Sequence, residues 1–288
     1  MSEKKYIFFD IDGTILTFEG KVPDSTREAL AKAQENGHEI FINTGRCRNI
    51  IPSILDDLNF DGLLCGTGAQ CEYHGKQLYE ECFSKDQANR VLSIVKEHDT
   101  PFIMSTSGDC VLTTKHAPIF VELFTKGKVK AIDVKGIEDM KDAPLLATMS
   151  PIVLDDNVDG YFENHPGVSD FIYINSPFTV KEFNAMLGDD INVEKASFKE
   201  PDDYSGEITL GNCSKGIGIK RFLDLLGADM KDSIAVGDGF NDIEMLKAAN
   251  LSIAMGNSPQ EVKDISDYVT DDISEDGVYN ALNHFNLI

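Results

Sequence analysis

Short apolar runs alternate with segments of helical periodicity in the first and last thirds of the chain. The predicted strands are 6–9, 38–43, 62–65, 233–237 and 251–255. The predicted helices are 25–36, 46–58, 215–226, 242–249 and 259–266. Strands separated by helices of this length indicate βαβ units and a parallel sheet, so the sequence predicts an α/β fold.

Two of the predicted helices begin with a capping pattern. The segments 25–28 and 258–261 each have Glu three residues after Ser, which predicts capping boxes. A third helix begins with Lys215 in its first turn, where the helix macrodipole disfavours a cation. A residue that breaks a local rule in this way is a candidate for function.

The middle of the chain, residues 84–206, has a different pattern. Strand-like runs such as 171–175 and 190–198 are mixed there with helical stretches and many Pro, Asp and Gly residues. We interpret it as a second domain inserted into a first domain that consists of 1–83 and 207–288. A chain of 288 residues is long enough for two domains of ordinary size.

The formal net charge of the chain is −23. Nucleic acids and anionic membranes bind clustered Lys and Arg, so this charge argues against both as partners. No apolar stretch approaches the ~20 residues that cross a bilayer, and the N-terminus lacks the apolar region of a signal peptide. We therefore expect a cytoplasmic protein whose six cysteines are free thiols.

Polar and charged groups stand at the ends of several predicted strands and at one helix start. These groups are Asp10 and Asp12, Thr44-Gly45-Arg46, Asn212-Cys213-Ser214-Lys215, and the segment 238–242. Ligands of a parallel sheet collect beyond the carboxyl ends of its strands. The groups are therefore expected to form one site.

The chemistry of these groups indicates a metal ion and an anionic phosphoryl group. Carboxylates are hard oxygen ligands suited to Mg²⁺, and a divalent cation would relieve the repulsion between neighbouring aspartates. Lys215 and Arg46 add positive charge, while the Thr44 hydroxyl and nearby backbone N–H groups add donors. The candidate metal ligands are Asp10, Asp12, Asp238 and Asp242.

Each group also has a simpler structural explanation when it is taken alone. Asp-Gly pairs are common hairpin turns, the segment 44–46 could be a loop, and the segment 213–216 could be a helix cap. A helix rather than a returning strand follows residue 239, however, so no hairpin needs that turn. An EF-hand is excluded by Ile15 at its glycine position, and no P-loop, GxSxG or HExxH motif is present.

The motifs DIDGT, TGR, SKG and GDGFND occur in the order and approximate spacing of the haloacid dehalogenase (HAD) superfamily. The segment Ile253–Asn257 matches a further stretch, and the chain resembles the Cof-type, class IIB phosphatases of that superfamily. The resemblance implies a Rossmann-like parallel-sheet core domain with an inserted α/β cap domain of the C2 type, which would be residues 84–206.

The resemblance also implies a role for each motif residue. Asp10 would be the nucleophile that becomes an aspartyl-phosphate, and Asp12 the general acid and base, with its backbone carbonyl on Mg²⁺. Lys215 would neutralise charge between nucleophile and phosphate. The remaining implied roles are substrate binding by Thr44, Gly45, Arg46 and Asn241, and magnesium binding by Asp238 and Asp242.

The function implied is a Mg²⁺-dependent phosphatase that acts on small phosphorylated metabolites, such as sugar phosphates or phosphorylated cofactors. The presence of Asp12 favours phosphoryl transfer over dehalogenation, because dehalogenases of the superfamily lack that aspartate. The alternatives are a phosphomutase of the same superfamily and a non-catalytic regulatory member. The sequence leaves the choice between monomer and homodimer open.

Two features depart from the family pattern or lie beside it. Many relatives carry Asn-Gly-Ala after the third strand, where this chain has Thr67-Gly68-Ala69. Any contact that the asparagine makes is therefore in doubt here. Cys47 and Cys213 flank two motifs, and we expect small buried thiols rather than redox regulation.

Overall fold

In the computed structural model, the chain divides into two compact units. The first comprises residues 1–46, 52–80 and 213–288, and the second comprises 47–51 and 81–212. The structure describes residues 3–17, 19–106, 108–124, 130, 152–165, 167–196 and 202–288.

The described elements alternate strand and helix in both terminal parts of the chain. The strands are β1 (Tyr6–Phe9), β2 (Glu39–Asn43), β3 (Gly62–Cys65), β4 (Gln70–Tyr73), β5 (Lys76–Glu80), β6 (Phe102–Thr106), β7 (Cys110–Leu112), β8 (Ile152–Leu154), β9 (Val168–Tyr173), β10 (Ile191–Lys195), β11 (Gly206–Leu210), β12 (Ser233–Gly237), β13 (Leu251–Ala254) and β14 (Tyr268–Val269). The α-helices are α1 (Asp24–Glu35), α2 (Lys85–Glu97), α3 (Ala117–Phe124), α4 (Val158–Asn164), α5 (Val180–Leu187), α6 (Lys215–Leu226), α7 (Ile243–Ala248), α8 (Gln260–Asp264) and α9 (Gly277–His284).

The sheet of the first unit has the strand order β14-β13-β12-β1-β2-β3-β4-β5. All pairs from β14 to β3 are parallel, and β3-β4-β5 are antiparallel. The predicted α/β fold with a parallel core is confirmed. In the centre of the sheet, Phe9 is in register with Val236 and Ile42, so the residues after β1, β12 and β2 leave the sheet at the same edge.

Aromatic packing holds α6 against this sheet. The rings of Phe41 and Phe222 lie 4.8 Å apart, and those of Phe8 and Phe41 lie 5.0 Å apart. The start of the helix also approaches the loop after β3 closely, since a Cβ on Gly218 would lie 3.0 Å from the Cα of Gly68. This packing brings the N-terminus of α6 to the carboxyl edge of the parallel strands.

The sheet of the second unit has the order β10-β11-β9-β6-β7-β8. Its pairs are antiparallel except for β7 with β8. One face is packed with aromatic rings, where Tyr173 stacks 4.6 Å from Phe183 of α5 and Phe171 meets Phe83 at 5.5 Å. This mixed sheet, separate from the parallel one, accords with the predicted pairing of a Rossmann-like core and an α/β second domain.

The predicted domain boundaries differ from the borders of these units. β11 belongs to the second sheet, although the boundary at 206/207 would assign it to the first domain. The segment 47–51 also belongs to the second unit while its chain neighbours belong to the first. That the second unit acts as a cap stays a prediction.

The predicted helix 46–58 is wrong. The segment instead forms two 3₁₀ turns, Arg48–Ile50 and Ser53–Leu58, with Ile51 in an extended conformation between them. Pro52 explains the break, because a proline disfavours the helical conformation in the residue before it.

Both predicted capping boxes are also wrong. α1 begins at Asp24 after Pro23, and α8 begins at Gln260 after Pro259, without a side-chain cap in either case. In each helix a proline takes the position directly before the first turn, so the serine is not the N-cap residue. The capping boxes in the described part of the chain that use side chains at both positions are Ser84–Gln87 and Thr179–Glu182.

Several predicted element ends also differ from those in the structure. The second-unit strands are β9 and β10 rather than 171–175 and 190–198, of which residues 197 and 198 lie outside the described residues. The last predicted helix, 259–266, ends at Asp264. The hairpin β4–β5 was not predicted, since Gln70–Glu80 has little of the apolar character of a buried strand.

Candidate active site

Asp10 lies directly beyond β1, and parallel pairing fixes its backbone. Its N–H donates to the carbonyl of Val236 at 3.0 Å, which continues the β1–β12 ladder. On the other side of β1, Thr44 follows β2 and its N–H donates to Leu64 of β3 at 2.9 Å. Both side chains are buried, and both lie at the carboxyl edge of the sheet.

Lys215 is the first residue of α6 and its side chain is fully buried. The helix is capped by Ser214, whose hydroxyl accepts the N–H of Ile217 at 3.1 Å. The Lys215 ammonium donates to Oδ1 of Asp10 and to Oδ1 of Asp242, each at 2.6 Å. These two carboxylates outweigh the unfavourable position of a cation at a helix N-terminus.

Asp242 is fixed by the loop that follows β12. Its Oδ2 accepts the backbone N–H groups of Asp238 and Gly239 at 2.9 Å and 2.8 Å. Gly237 makes room for this carboxylate, since a Cβ there would lie 2.6 Å from the Asp242 carboxyl carbon. The side chain is wholly buried, so its two oxygens have defined partners in the protein.

Asp238 is held by two residues to which the sequence analysis gave no role. Thr14 donates from Oγ1 to Oδ1 at 3.3 Å, and Asn257 donates from Nδ2 to Oδ2 at 3.2 Å. Gly13 adopts φ +84°, and a Cβ there would lie 2.2 Å from Oδ2, so only glycine is accommodated. Asn257 lies in the loop after β13, and Asp238 directly follows the neighbouring strand β12. Its position beyond a strand end is the sequence feature that could have identified Asn257 as a site residue.

The carboxylates of Asp10, Asp238 and Asp242 offer oxygens that all lie within 4.8 Å of one another. Burial, reinforced by the neighbouring carboxylates, raises the pKa of Asp10 to about 7 and the pKa of Asp238 to about 9. Burial alone would lower the pKa of Lys215, but Asp10 and Asp242 raise it above its ordinary value. One ammonium thus faces three buried carboxylates, and this set of hard oxygens fits a divalent cation such as Mg²⁺.

The Asp12 carboxylate is not part of this group of three. It is 43% exposed and accepts two hydrogen bonds from Arg46, from Nε to Oδ2 at 2.8 Å and from Nη2 to Oδ1 at 3.0 Å. The Arg46 side chain is only 10% exposed. Its backbone N–H donates to the Thr44 hydroxyl at 3.1 Å, so the segment 44–46 is tied together at the sheet edge.

The loop after β3 holds the same segment from the other side. The N–H of Gly66 donates to the carbonyl of Arg46 at 2.8 Å, and the N–H of Thr67 donates to the carbonyl of Thr44 at 3.1 Å. Thr67 has φ +55°, a conformation that a β-branched residue rarely adopts. Thr67, which stands where many relatives carry asparagine, thus contacts the backbone of Thr44, and its own side chain is buried.

The two remaining residues predicted to bind substrate are next to site residues in the sequence. Gly45 and Asn241 are half-buried, and Asn241 lies in the 3₁₀ turn Phe240–Asp242. Within the described part of the chain, the side chain of Asn241 forms no hydrogen bond with Asp10 or Asp12. A role of Asn241 in substrate binding therefore stays a prediction.

The two cysteines beside the motifs are buried. The Cys47 thiol donates to Oδ2 of Asp170 at 2.5 Å within the second unit. Burial, followed by the Asp170 carboxylate, raises the pKa of Cys47 well above its ordinary value. Oxidation requires a thiolate, so this environment favours a protonated structural thiol over redox regulation.

A model of the haloacid dehalogenase-like hydrolase family matches residues 7–282. The chain belongs to this family. The match spans both terminal parts of the chain and the middle, and it confirms the resemblance drawn from the motifs. Among the described residues, no helix has the length and apolar character required to span a bilayer.

Individual relatives are similar over nearly their whole length. The protein YkrA of Bacillus subtilis (strain 168) is 27% identical, with 99% of each chain covered. The 5-amino-6-(5-phospho-D-ribitylamino)uracil phosphatase YcsE of the same organism is 26% identical, covering 98% of this chain and 96% of YcsE. A solved sugar phosphatase of HAD subclass IIB is 26% identical, covers 99% of this chain and 100% of its own, and superposes with a TM-score of 0.76. The predicted enzyme class, a phosphatase of the HAD superfamily, is confirmed by this family membership.

Proposed function

We propose that this protein is a Mg²⁺-dependent phosphatase that hydrolyses small phosphorylated metabolites through an aspartyl-phosphate on Asp10. The observation that carries the proposal is the position of Lys215 between Asp10 and Asp242, with Asp238 in the same group of carboxylates. A buried cluster of this kind joins a nucleophile, a fixed positive charge and oxygen ligands for a cation.

Asp10 is the nucleophile in this mechanism. Lys215 occupies its Oδ1 at 2.6 Å, which leaves Oδ2 as the atom that attacks phosphorus. The same ammonium would neutralise charge as the phosphoryl group approaches the carboxylate. The hydroxyl of Thr44, at the end of the neighbouring strand β2, would donate to a phosphoryl oxygen.

Asp12 protonates the leaving oxygen in the first step and then, as a base, removes a proton from the water that attacks the phosphorus of the aspartyl-phosphate. Its 43% exposure allows it to exchange protons with solvent and substrate. Arg46 orients its carboxylate with two hydrogen bonds and adds positive charge for the phosphate.

Asp10, Asp238 and the backbone carbonyl of Asp12 would hold the magnesium ion, with Asp242 close behind. When bound, the ion supplies charge neutralisation for the carboxylates and the transferring phosphoryl group. Thr14 and Asn257 would keep the Asp238 carboxylate turned toward it. The substrates proposed are sugar phosphates or phosphorylated cofactors, in keeping with the compounds named for YcsE and for the sugar phosphatase.

The cytoplasmic location, the monomeric or homodimeric state and the role of the second unit as a cap stay predictions. Gly45 and Asn241 are proposed to contact the phosphate group of the bound substrate.

A free-phosphate assay with a panel of phosphorylated metabolites tests the proposal. We expect activity with Mg²⁺, loss of activity in EDTA, recovery on addition of excess Mg²⁺, and no turnover by Asp10→Asn. Wild-type turnover by Asp10→Asn, or full activity in chelator, would contradict it. Accumulation of a bisphosphate in place of free phosphate would identify a phosphomutase instead.

A further inference from the structure

Asn43, the last residue of β2, places a fully buried amide in the apolar core of the first unit. Side chains alternate along a strand, so Asn43 projects from the same face as Phe41, whose ring packs on Phe222 of α6. Apolar side chains from β1, β3, α6 and α7 cover this face. A polar side chain among them departs from the local pattern, which makes it a candidate for function.

The Asn43 amide contacts both helices that carry the ion pair of Lys215 with Asp242. Its Nδ2 donates to the main-chain carbonyl of Lys215 at 3.0 Å and lies 3.5 Å from Sδ of Met245. Lys215 is the first residue of α6, and Met245 lies in the first turn of α7, which begins directly after Asp242. The amide therefore binds the backbone of the residue that bears the buried ammonium.

The other end of the Asn43 amide, Oδ1, has no hydrogen-bond partner among the described residues. The two ends are distinguishable, because only the NH₂ end can donate to the carbonyl of Lys215. An unpaired buried acceptor costs about as much stability as one hydrogen bond contributes, or more. Folding alone therefore does not favour asparagine over a leucine of the same shape at this position.

The position of the Lys215 ammonium depends on the position of the Lys215 backbone. The side chain is fully buried and ends between Oδ1 of Asp10 and Oδ1 of Asp242, each at 2.6 Å. Charged groups at a reaction centre must be held to within about 0.5 Å by the residues around them. A hydrogen bond to the main chain of Lys215 provides such a restraint.

We propose that Asn43 is a positioning residue of the phosphatase reaction, whose amide fixes the carbonyl of Lys215 and thereby holds the ammonium against Asp10. This inference rests on the phosphatase function proposed above and adds a residue to it. In the described structure Asn43 forms no hydrogen bond with the carboxylate of Asp10, so it acts through Lys215. The ammonium neutralises charge that develops as the phosphoryl group is transferred, so its displacement lowers kcat more than it weakens substrate binding.

Asn43→Leu and Asn43→Ala test the inference, because they share one effect on the reaction and differ in their effect on stability. Both remove the donor to the Lys215 carbonyl, so we expect each to lower kcat on p-nitrophenyl phosphate about 3- to 10-fold with KM within about twofold of the wild-type value. Leucine also removes the unpaired Oδ1 without a change of shape, so the melting temperature should stay the same or rise. Alanine leaves a cavity, so the melting temperature should fall by several degrees.

Met245→Leu is the matched control. It removes the sulfur that faces Nδ2 of Asn43 but conserves side-chain volume and leaves the contact with the Lys215 carbonyl in place. We expect wild-type kcat and KM. A kcat loss in Met245→Leu equal to that in Asn43→Leu would overturn the inference, since the packing of α7 would then be the cause.

Wild-type kcat in Asn43→Leu would also overturn the inference. So would a kcat loss that follows stability, with Asn43→Ala impaired and Asn43→Leu not, because the amide would then act only in folding. Each of these outcomes leaves the phosphatase function intact. A wild-type protein that releases no phosphate from p-nitrophenyl phosphate or from the metabolite panel in the presence of Mg²⁺ would instead contradict the proposed function, and the inference with it.

Discussion

Arg46 donates two hydrogen bonds to the carboxylate of Asp12, one from Nε to Oδ2 at 2.8 Å and one from Nη2 to Oδ1 at 3.0 Å. This forked geometry fixes both the position and the plane of the carboxylate. The backbone of Arg46 is fixed in turn by the Thr44 hydroxyl and by the N–H of Gly66. Asp12, the proposed general acid and base, is thus positioned by the loop 44–46. The same loop carries Thr44, the proposed hydrogen-bond donor to the phosphate.

Arg46→Lys should lower kcat/KM about tenfold with little change in melting temperature. A lysine keeps the charge but cannot form the two parallel hydrogen bonds that orient Asp12. Steady-state kinetics with p-nitrophenyl phosphate and a sugar phosphate measure the effect. Arg27→Lys is the control, because Arg27 pairs with the largely exposed Asp57 at the surface, where such pairs contribute little. Equal effects of the two substitutions would contradict a positioning role for Arg46.

Lys215→Met should remove activity and also destabilise the fold. The substitution leaves the buried carboxylates of Asp10 and Asp242 without their cation, which costs about 3–5 kcal/mol for a buried pair. Urea unfolding in EDTA measures this loss, and Lys220→Met, at an exposed site on the same helix, serves as the control. Wild-type stability of Lys215→Met would show that the ammonium does not compensate these carboxylates.

The metal-free protein should lose stability as the pH rises from 5.5 to 8. Asp10 and Asp238 have folded-state pKa values of about 7 and about 9, above the ordinary value of 3.8. Between the ordinary and the raised pKa values, the folded state binds more protons than the unfolded chain, so the free energy of unfolding falls as the pH rises.

Magnesium should reverse this trend, because the cation binds the deprotonated carboxylates. We expect the increase in melting temperature on adding Mg²⁺ to be larger at pH 8 than at pH 5.5. Thermal scans in EDTA and in Mg²⁺ at both pH values provide the measurement. A magnesium-induced increase that is equal at both pH values would contradict the assignment of these buried carboxylates as ligands.

Asn257→Ala should raise the magnesium concentration needed for half-maximal activity by about 10- to 100-fold. The Asn257 amide donates to Asp238 at 3.2 Å and to the Gly13 carbonyl at 2.9 Å, so its loss frees the carboxylate to rotate. Magnesium titrations of activity test this. Ser258→Ala, which alters the next residue at a hydroxyl without a partner in the described structure, should leave the requirement unchanged. Equal magnesium requirements of the two variants would contradict a role for Asn257 in the metal site.

The arrangement of the candidate site was predictable where it depends on strand ends. Asp10, Thr44 and Asp238 follow neighbouring parallel strands, so an edge common to all three follows from the βαβ pattern alone. Lys215 was singled out because a cation opposes the dipole at a helix start, and its burial between two carboxylates gives the physical reason.

Other features required tertiary information. The pairing of Asp12 with Arg46 joins residues 34 positions apart through a loop conformation that no local pattern specifies. The helix predicted over 46–58 does not form because Pro52 disfavours the helical conformation of Ile51.

The most direct test of the account is the mass of acid-quenched Asp12→Asn protein after mixing with p-nitrophenyl phosphate and Mg²⁺. The p-nitrophenolate leaves without an acid, so the first step proceeds, while the second step lacks its base and the covalent intermediate accumulates. We predict the added mass of one phosphoryl group, located on the peptide that contains Asp10 and absent from the Asp10→Asn,Asp12→Asn double variant. Phosphate release by the wild-type enzyme with no adduct in the Asp12→Asn protein, or an adduct on another residue, would contradict Asp10 as the nucleophile.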